Sequence, residues 1–176
     1  MNSLHYPDSL QEYAVSEKVY LEQHPEYNCL VTGSIVFNKE GKLLIVQRAA
    51  EERAFPDLWE VPGGKVDDTD QTILHAAARE LKEEAGLETT RILKKVTHFT
   101  FLDGTTTWLK LVFEMEVQNA DRVVLDPVEH QKFLFASADE VVNDKVGDVE
   151  LRYISPANKE VKLEAFRQKR EGRCSA

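Results

Sequence analysis

The chain has 176 residues, 42% hydrophobic and 30% charged, which suits one ordinary packed domain and excludes stapled mini-proteins, disordered chains and fibrous repeats. A formal net charge of -9 excludes general electrostatic attraction to duplex nucleic acid or an anionic membrane, so an anionic substrate needs a local remedy. No apolar run approaches a membrane span, Met1 to Leu10 lacks secretory blocks, and Cys29 and Cys174 show no CxxC spacing, so cytoplasmic is the expected location.

Residues 1–27 read as a peripheral arm, with Ser9 to Leu21 as a short amphipathic helix ahead of His24-Pro25. Two apolar runs follow, Cys29 to Phe37 and Lys42 to Gln47. The turn-rich Asn38-Lys39-Glu40-Gly41 between them predicts a hairpin of paired strands. After a polar loop with Pro56, Pro62 and Gly63-Gly64, the stretch Thr72 to Ala85 has no Gly or Pro and is rich in Ala, Leu and Glu. It predicts a helix capped at its end by Gly86. Ile92 to Leu102 and Thr106 to Val117 flank Asp103-Gly104 and predict a second hairpin. Lys132 to Ala136 reads as a short strand, Ser137 caps a helix running to Val142, and Pro156 to Arg170 reads as a last helix. This order predicts an α+β fold with a mixed β-sheet and no regular βα alternation.

The helix over Thr72 to Ala85 opposes its own stability. Leu74, Ala77, Ala78, Leu81 and Ala85 form a core stripe, and beside it Glu80, Glu83 and Glu84 crowd one sector, since positions three and four apart are neighbours. The pairs Glu80 with Glu84 and Glu80 with Glu83 each cost roughly 0.2 to 0.5 kcal/mol. The acids also stand in the last turns, where the helix dipole disfavours them. Local choices against stability point to a functional site, and the natural compensation for gathered carboxylates is a hard divalent cation, Mg²⁺ or Mn²⁺.

Gly64 is followed after fourteen residues by Arg79-Glu80-Leu81-Lys82-Glu83-Glu84-Ala85-Gly86-Leu87, which closely resembles the Nudix box, Gly-x5-Glu-x7-Arg-Glu-U-x-Glu-Glu-x-Gly-U, with U aliphatic. Leu58-Trp59-Glu60-Val61-Pro62-Gly63-Gly64 resembles the family's lead-in. The resemblance covers roughly residues 28 to 145, with the arm and a carboxy-terminal helical segment, 146–176, outside it. It implies the Nudix α/β/α sandwich. One loop residue is in excess: Asp70 takes the first Glu position counting from Gly64, and Gln71 takes it counting back from Arg79. Asp70 is expected to cap the helix instead.

By the same resemblance, Glu80, Glu83, Glu84 and the Gly63 carbonyl bind Mg²⁺, Glu80 orients or deprotonates water, and Arg79 positions a neighbouring glutamate. The chemistry implied is attack of water on a diphosphate linkage, for which bound divalent ions reverse the local field and stabilise the reacting oxygens. Glu129, in Pro127-Val128-Glu129-His130, is the candidate distal acid, with a solvated loop glutamate as the other reading. Arg48 resembles an arginine directed at substrate phosphate, against a plain surface arginine. Trp59 is a candidate for stacking on a base, with packing the favoured role. His98, His130, Phe99 and Phe101 are pocket candidates against a core role.

A Mg²⁺-dependent hydrolase of a nucleoside diphosphate derivative is therefore the leading expectation, with a small nucleotide as substrate and partner. A catalytically inactive Nudix-fold module that binds a nucleotide or a protein is the alternative from another class. An isoprenoid diphosphate isomerase lacks its Cys-containing arrangement here. No P-loop, HExxH or GxSxG spacing occurs. The substrate's attached group is unread, as is the oligomeric state, for which arm exchange in a homodimer is one option.

Overall fold

The computed structural model describes residues 4–174. Its architecture follows from a strand with two apolar faces. Along β5 (Thr106–Val117), Leu109, Leu111, Phe113 and Met115 enter one core while Val112, on the opposite face, enters another. A two-faced strand needs cover on both sides, which places it in the middle of a sandwich. β5 pairs parallel with β1 (Cys29–Ile35) and antiparallel with β4 (Thr89–Asp103), forming a mixed sheet in the order β1-β5-β4.

A second sheet has the order β3-β2-β6, from β3 (Trp59–Glu60), β2 (Leu43–Arg48) and β6 (His130–Ala136), all antiparallel. The expected first hairpin is thus a hairpin only at its tip. Asn38 N–H donates to Lys42 O at 2.9 Å, Gly41 takes φ +74° in the turn, and Phe37 pairs with Leu43. Beyond that pair the strands part, because β1 takes β5 as its neighbour and β2 takes β3 and β6. The parting separates two three-stranded sheets, of which β1-β5-β4 is mixed, as the sequence predicts, and β3-β2-β6 is antiparallel. The ribbon β7 (Lys145–Val146) with β8 (Val149–Glu150) stands apart.

Helices cover both outer sides. α2 (Ile73–Ala85) lays Ile73, Leu74, Ala76, Ala77, Leu81 and Ala85 into the first core. Thr72 caps its start by accepting from His75 N–H at 3.2 Å, and Gly86 ends it at φ +68° with its N–H on Lys82 O. α3 (Ala138–Val142) begins with Ser137 and Glu140 capping each other's backbone, as the sequence predicts for Ser137. α4 (Pro156–Cys174) runs four residues past the expected Arg170 and lays Val161, Ala165 and Phe166 into the second core.

The arm departs from expectation. It holds a 3₁₀ turn over Asp8–Tyr13 and a separate α1 (Glu17–Gln23), and Leu10, Tyr13 and Tyr20 are buried in the first core. Backbone bonds tie it down, from Ile92 N–H to His5 O at 2.8 Å and from Ile73 N–H to Val15 O at 2.9 Å. The Glu17 carboxylate accepts from Leu30 N–H at 2.9 Å. Three apolar side chains spaced through a polar segment suffice to make it part of the core, so it is not peripheral. Among the described residues no helix is long and apolar enough to cross a membrane.

Candidate active site

Two adjacent glycines set the floor of the site. A Cβ on Gly63, whose φ is +153°, would lie 2.1 Å from the Thr32 carbonyl oxygen, so the loop backbone lies directly against β1. Ser34 N–H donates to Pro62 O and Thr32 N–H to Gly64 O, each at 2.8 Å. A Cβ on Gly64 would lie 2.4 Å from Glu80 Oε2, so the Glu80 carboxylate fills the space a side chain would need. The Gly63 N–H donates to Glu84 Oε2 at 2.7 Å. The loop and α2 therefore meet through two of the acids expected from the sequence.

Arg79 gathers the others. Its Nε and Nη2 donate to the two oxygens of Asp70 at 2.8 and 2.7 Å, its Nη1 to Glu80 at 2.8 Å and Glu83 at 2.9 Å, and its Nη2 also to Lys65 O at 3.1 Å. The expected capping role of Asp70 is corrected here. Thr72 is the cap, and Asp70 is the planar partner of a planar guanidinium, the geometry in which such pairs are strongest. The Arg79 hydrogen bond outweighs burial and holds the Asp70 carboxyl below its usual range. Since Asp70 stands six residues after Gly64 and grips Arg79, the extra loop residue falls after Asp70.

The carboxylates differ in surroundings. Glu83 is well exposed beside Arg79. Glu84 is 3% exposed, and burial, with the nearby charges of Glu60, Glu129 and Glu80, pushes its carboxyl up to about 9 against the pull of the Gly63 N–H. Burial also raises Glu80, with Arg79 opposing and Glu83 and Glu129 adding repulsion. Glu129 is therefore close enough for its charge to act on both. Its loop is fastened to α2 by Asp126 N–H to Glu84 O at 3.2 Å and Val124 N–H to Ala85 O at 2.9 Å, and to β2 by Ala49 N–H to Glu129 O at 2.8 Å.

A second layer of charge lies behind. Buried Glu60 accepts from Arg48 Nη1 at 3.0 Å and stands 3.1 Å from His130 Nε2. Burial alone would raise Glu60, but His130, Lys110 and Arg48 hold its carboxyl below the usual range. Arg48 is also committed to Glu52 at 3.0 Å and to Ala54 O at 2.8 Å, so here it faces carboxylates. Trp59 is 1% exposed in the second core and paired to Gln47 through its backbone, which leaves no face open to a base. Glu60 and Lys110 escaped the sequence reading; the available signal for each was a charged residue flanked directly by apolar ones, Trp59 and Val61 for Glu60, Leu109 and Leu111 for Lys110.

The donor set suits a hard divalent ion. Carboxylate oxygens are the ligands Mg²⁺ and Mn²⁺ prefer, and a buried carboxyl raised to about 9 holds a proton at neutral pH unless a cation takes its place. Among the described residues no three His, Cys, Asp or Glu side chains already stand at ion-holding spacing, and Arg79 and the Gly63 N–H engage these acids. A loop laid on β1, acids of one helix turned against it and an arginine tethering them are thus gathered at one place in a two-sheet sandwich flanked by helices.

The family model of the NUDIX domain matches residues 28–157, and the chain belongs to that family. The match runs past the expected 145 to the first residues of α4. The 8-oxo-dGTP diphosphatase of Buchnera aphidicola subsp. Schizaphis graminum is 30% identical over 117 residues, 61% of this chain and 85% of that protein. The 8-oxo-dGDP phosphatase NUDT18 of Danio rerio is 28% identical over 88 residues, 50% of this chain and 25% of that protein. The chain spans 15% to 50% of the length of the first curated relatives it matches. The MutT protein of Methanosarcina mazei Go1 shares the fold with a TM-score of 0.64 at 24% identity, covering 81% of this chain and 94% of that one.

Proposed function

We propose that this protein hydrolyses a diphosphate linkage in a nucleoside diphosphate derivative with a divalent metal ion. The observation that carries the reading is the junction of Gly63-Gly64 with Glu80 and Glu84, where two carboxylates are pressed against the loop and a third, Glu83, is tethered by Arg79. Relatives named as an 8-oxo-dGTP diphosphatase and an 8-oxo-dGDP phosphatase support a nucleotide as the substrate class.

In this reading Glu80, Glu83, Glu84 and the Gly63 carbonyl hold Mg²⁺ or Mn²⁺. The ion, when bound, offsets the charge of the diphosphate and makes water a nucleophile at neutral pH. Arg79, anchored by Asp70, keeps Glu80 and Glu83 from spreading apart. Glu129 acts as the distal acid and accepts the proton of the attacking water, and the fastening of its loop to α2 and β2 fixes its reach. Arg48 orients Glu60 in the layer behind. The bidentate Asp70–Arg79 pair accommodates the extra loop residue, which supports an intact site over an inactive binding module.

The test is product release from nucleoside triphosphates, nucleotide sugars, dinucleoside polyphosphates and nucleotide cofactors, with Mg²⁺ or with a chelator, for the native protein and Glu83→Gln. Cleavage that needs both Mg²⁺ and Glu83 supports the proposal. Binding without cleavage of any of them moves the protein to the inactive module.

A further inference from the structure

The end of β2 remote from the acids gathers cations that the hydrolytic site does not use. Lys42 precedes Leu43, which pairs with Ala136, whereas Arg48, at the other end of the strand, pairs with His130 beside Glu129. Six residues of strand at about 3.3 Å each put the two ends about 20 Å apart. At the Lys42 end, the turn before β2, the start of α3 and the last turns of α4 enclose a cavity of about 250 Å³. Lys42, Lys169, Arg170 and Arg173 line it, against the one lining carboxylate, Glu40. On a chain of net charge -9 this is a local excess of positive charge.

Gly41 makes the room. Its φ is +74°, and a Cβ there would lie 3.3 Å from Arg173 Nη2 and 3.5 Å from Lys169 Cε, so two α4 cations close over the bare turn. The Lys169 ammonium stands 4.1 Å from the centre of the Phe37 ring, which packs edge-on against Phe166 at 5.4 Å. Burial lowers the Lys169 ammonium below its usual value, Glu114 opposes, and Arg173 and Lys94 add to the lowering. Elsewhere α4 pairs its charges, Lys159 with Asp144 and Arg167 with Glu160 and Glu164. The side chains of Lys42, Arg170 and Arg173 form no hydrogen bond or ion pair with a described residue. The helix dipole favours Arg173 in the last turn of α4, but it has no hold on Lys42, which comes from another element. Like charges three and four apart on a helix repel, and an anion between them and Lys42 turns that repulsion into attraction.

We propose that this cavity binds a compact anion of the phosphate class, inorganic phosphate or pyrophosphate, apart from the acids of α2, and that the bound anion ties the turn before β2 to the end of α4. Guanidinium groups match phosphate oxygens with paired donors, and the lysines add point charges. The volume falls below the roughly 300 to 1,000 Å³ of sites for drug-sized ligands, which suits a small ion and leaves no place for a nucleotide. The site requires neither the acids of α2 nor a metal ion.

The test is calorimetric titration of the full chain with pyrophosphate, in a chelator and at physiological salt, alongside amide NMR spectra and thermal melting. The chelator leaves the acids of α2 with no ion to attract the anion. Binding is expected at one site, with the Gly41 amide shifting and the Gly63 and Gly64 amides still. Lys42→Gln and Arg173→Gln are each expected to weaken it about tenfold, Lys42→Arg to retain it, and Glu83→Gln to leave it unchanged. Pyrophosphate is expected to raise the melting temperature of the native protein and not of Lys42→Gln or Arg173→Gln, since a ligand of the folded state stabilises it by mass action. Melting of each variant without pyrophosphate verifies that it is folded.

No binding by the folded native protein overturns the proposal, as does affinity indifferent to both Lys42→Gln and Arg173→Gln. Shifts at Gly63 and Gly64 in place of Gly41, or binding lost in Glu83→Gln, put the anion at the acids and also overturn it. Binding of a single-stranded oligonucleotide at these cations that excess pyrophosphate does not displace makes the patch a nucleic-acid surface and overturns it as well.

Discussion

Alanine at Gly64 and alanine at Gly63, one residue apart, are expected to fail for different reasons. At Gly64 the new Cβ would stand 2.4 Å from Glu80 Oε2, 2.6 Å from its Cδ and 2.9 Å from Oε1. The obstacle is the end of a flexible side chain, so the backbone can stay and the carboxylate must retreat by about 1 Å to reach ordinary contact. That retreat breaks the 2.8 Å bond to Arg79 and moves Glu80 away from the loop. The stability cost is expected to be about 1 to 3 kcal/mol. The activity cost is larger, since a displacement of about 1 Å at a reacting centre lowers turnover by on the order of a hundredfold. At Gly63 the Cβ would meet the Thr32 carbonyl at 2.1 Å, which is backbone and cannot retreat without parting the loop from β1. Gly63→Ala is therefore expected to lose the fold. Calorimetric melting and Mg²⁺-dependent kcat/KM on the best substrate, measured for both variants, separate the cases. Full activity in Gly64→Ala with an unchanged melting temperature would refute the placement of Glu80 on which the argument depends.

Asp70→Asn should destabilise the protein by about 1 to 3 kcal/mol, because one charged half of a bidentate pair is lost. The Asp70 carboxyl is lower in the folded state than its ordinary 3.8, so its contribution is present above that value and lost as pH falls below it. Urea unfolding of both proteins should converge toward pH 3, and an equal gap at pH 3 and pH 7 would contradict the pairing. Lys162, fully buried, is pushed down to about 7 by burial and by Lys110, so between pH 7 and 10.5 the unfolded state holds a proton the folded state lacks. Stability from this group rises over that window, and Lys162→Met should gain more at pH 6 than at pH 10; a gain independent of pH would refute it. Thr72→Ala should cost about 0.5 to 2 kcal/mol through the lost cap while leaving kcat nearly unchanged, as chemical denaturation and kinetics would report.

Local signals carried the parts of the fold that local physics decides. Asp103-Gly104 between two apolar runs fixed the long hairpin, Gly86 ended α2, and Ser137 with Glu140 started α3. The crowding of Glu80, Glu83 and Glu84 was visible because helical spacing alone brings them together. What escaped depends on distant partners. The Asn38–Gly41 turn announces a hairpin, but β1 and β2 part because β5 and β6, far along the chain, pair with them more extensively. Tyr13 and Tyr20 look like residues of a polar arm until Phe113 and the rest of the first core cover them.

The site shows the same division. Asp70 and Gln71 compete for one box position when counted along the chain, and only the guanidinium of Arg79, nine residues on, decides for Asp70. Glu60 and His130 are seventy residues apart and meet because β2 lies between β3 and β6. Lys110 reads as a charge between Leu109 and Leu111, and its position over Gly33 is a property of the sheet. Residues acting through helix periodicity were legible; those acting across strands were not.

In the proposed function the acids of α2 gather a divalent ion against the Gly63-Gly64 loop. Titration of the native protein with Mn²⁺, followed by electron paramagnetic resonance, tests it directly, with Glu84→Gln and Glu80→Gln alongside. Binding is expected in the native protein and is expected to weaken about tenfold or more in each variant, since each removes a charged oxygen ligand. Native binding left unchanged by both substitutions, or no binding by the folded native protein, would contradict it.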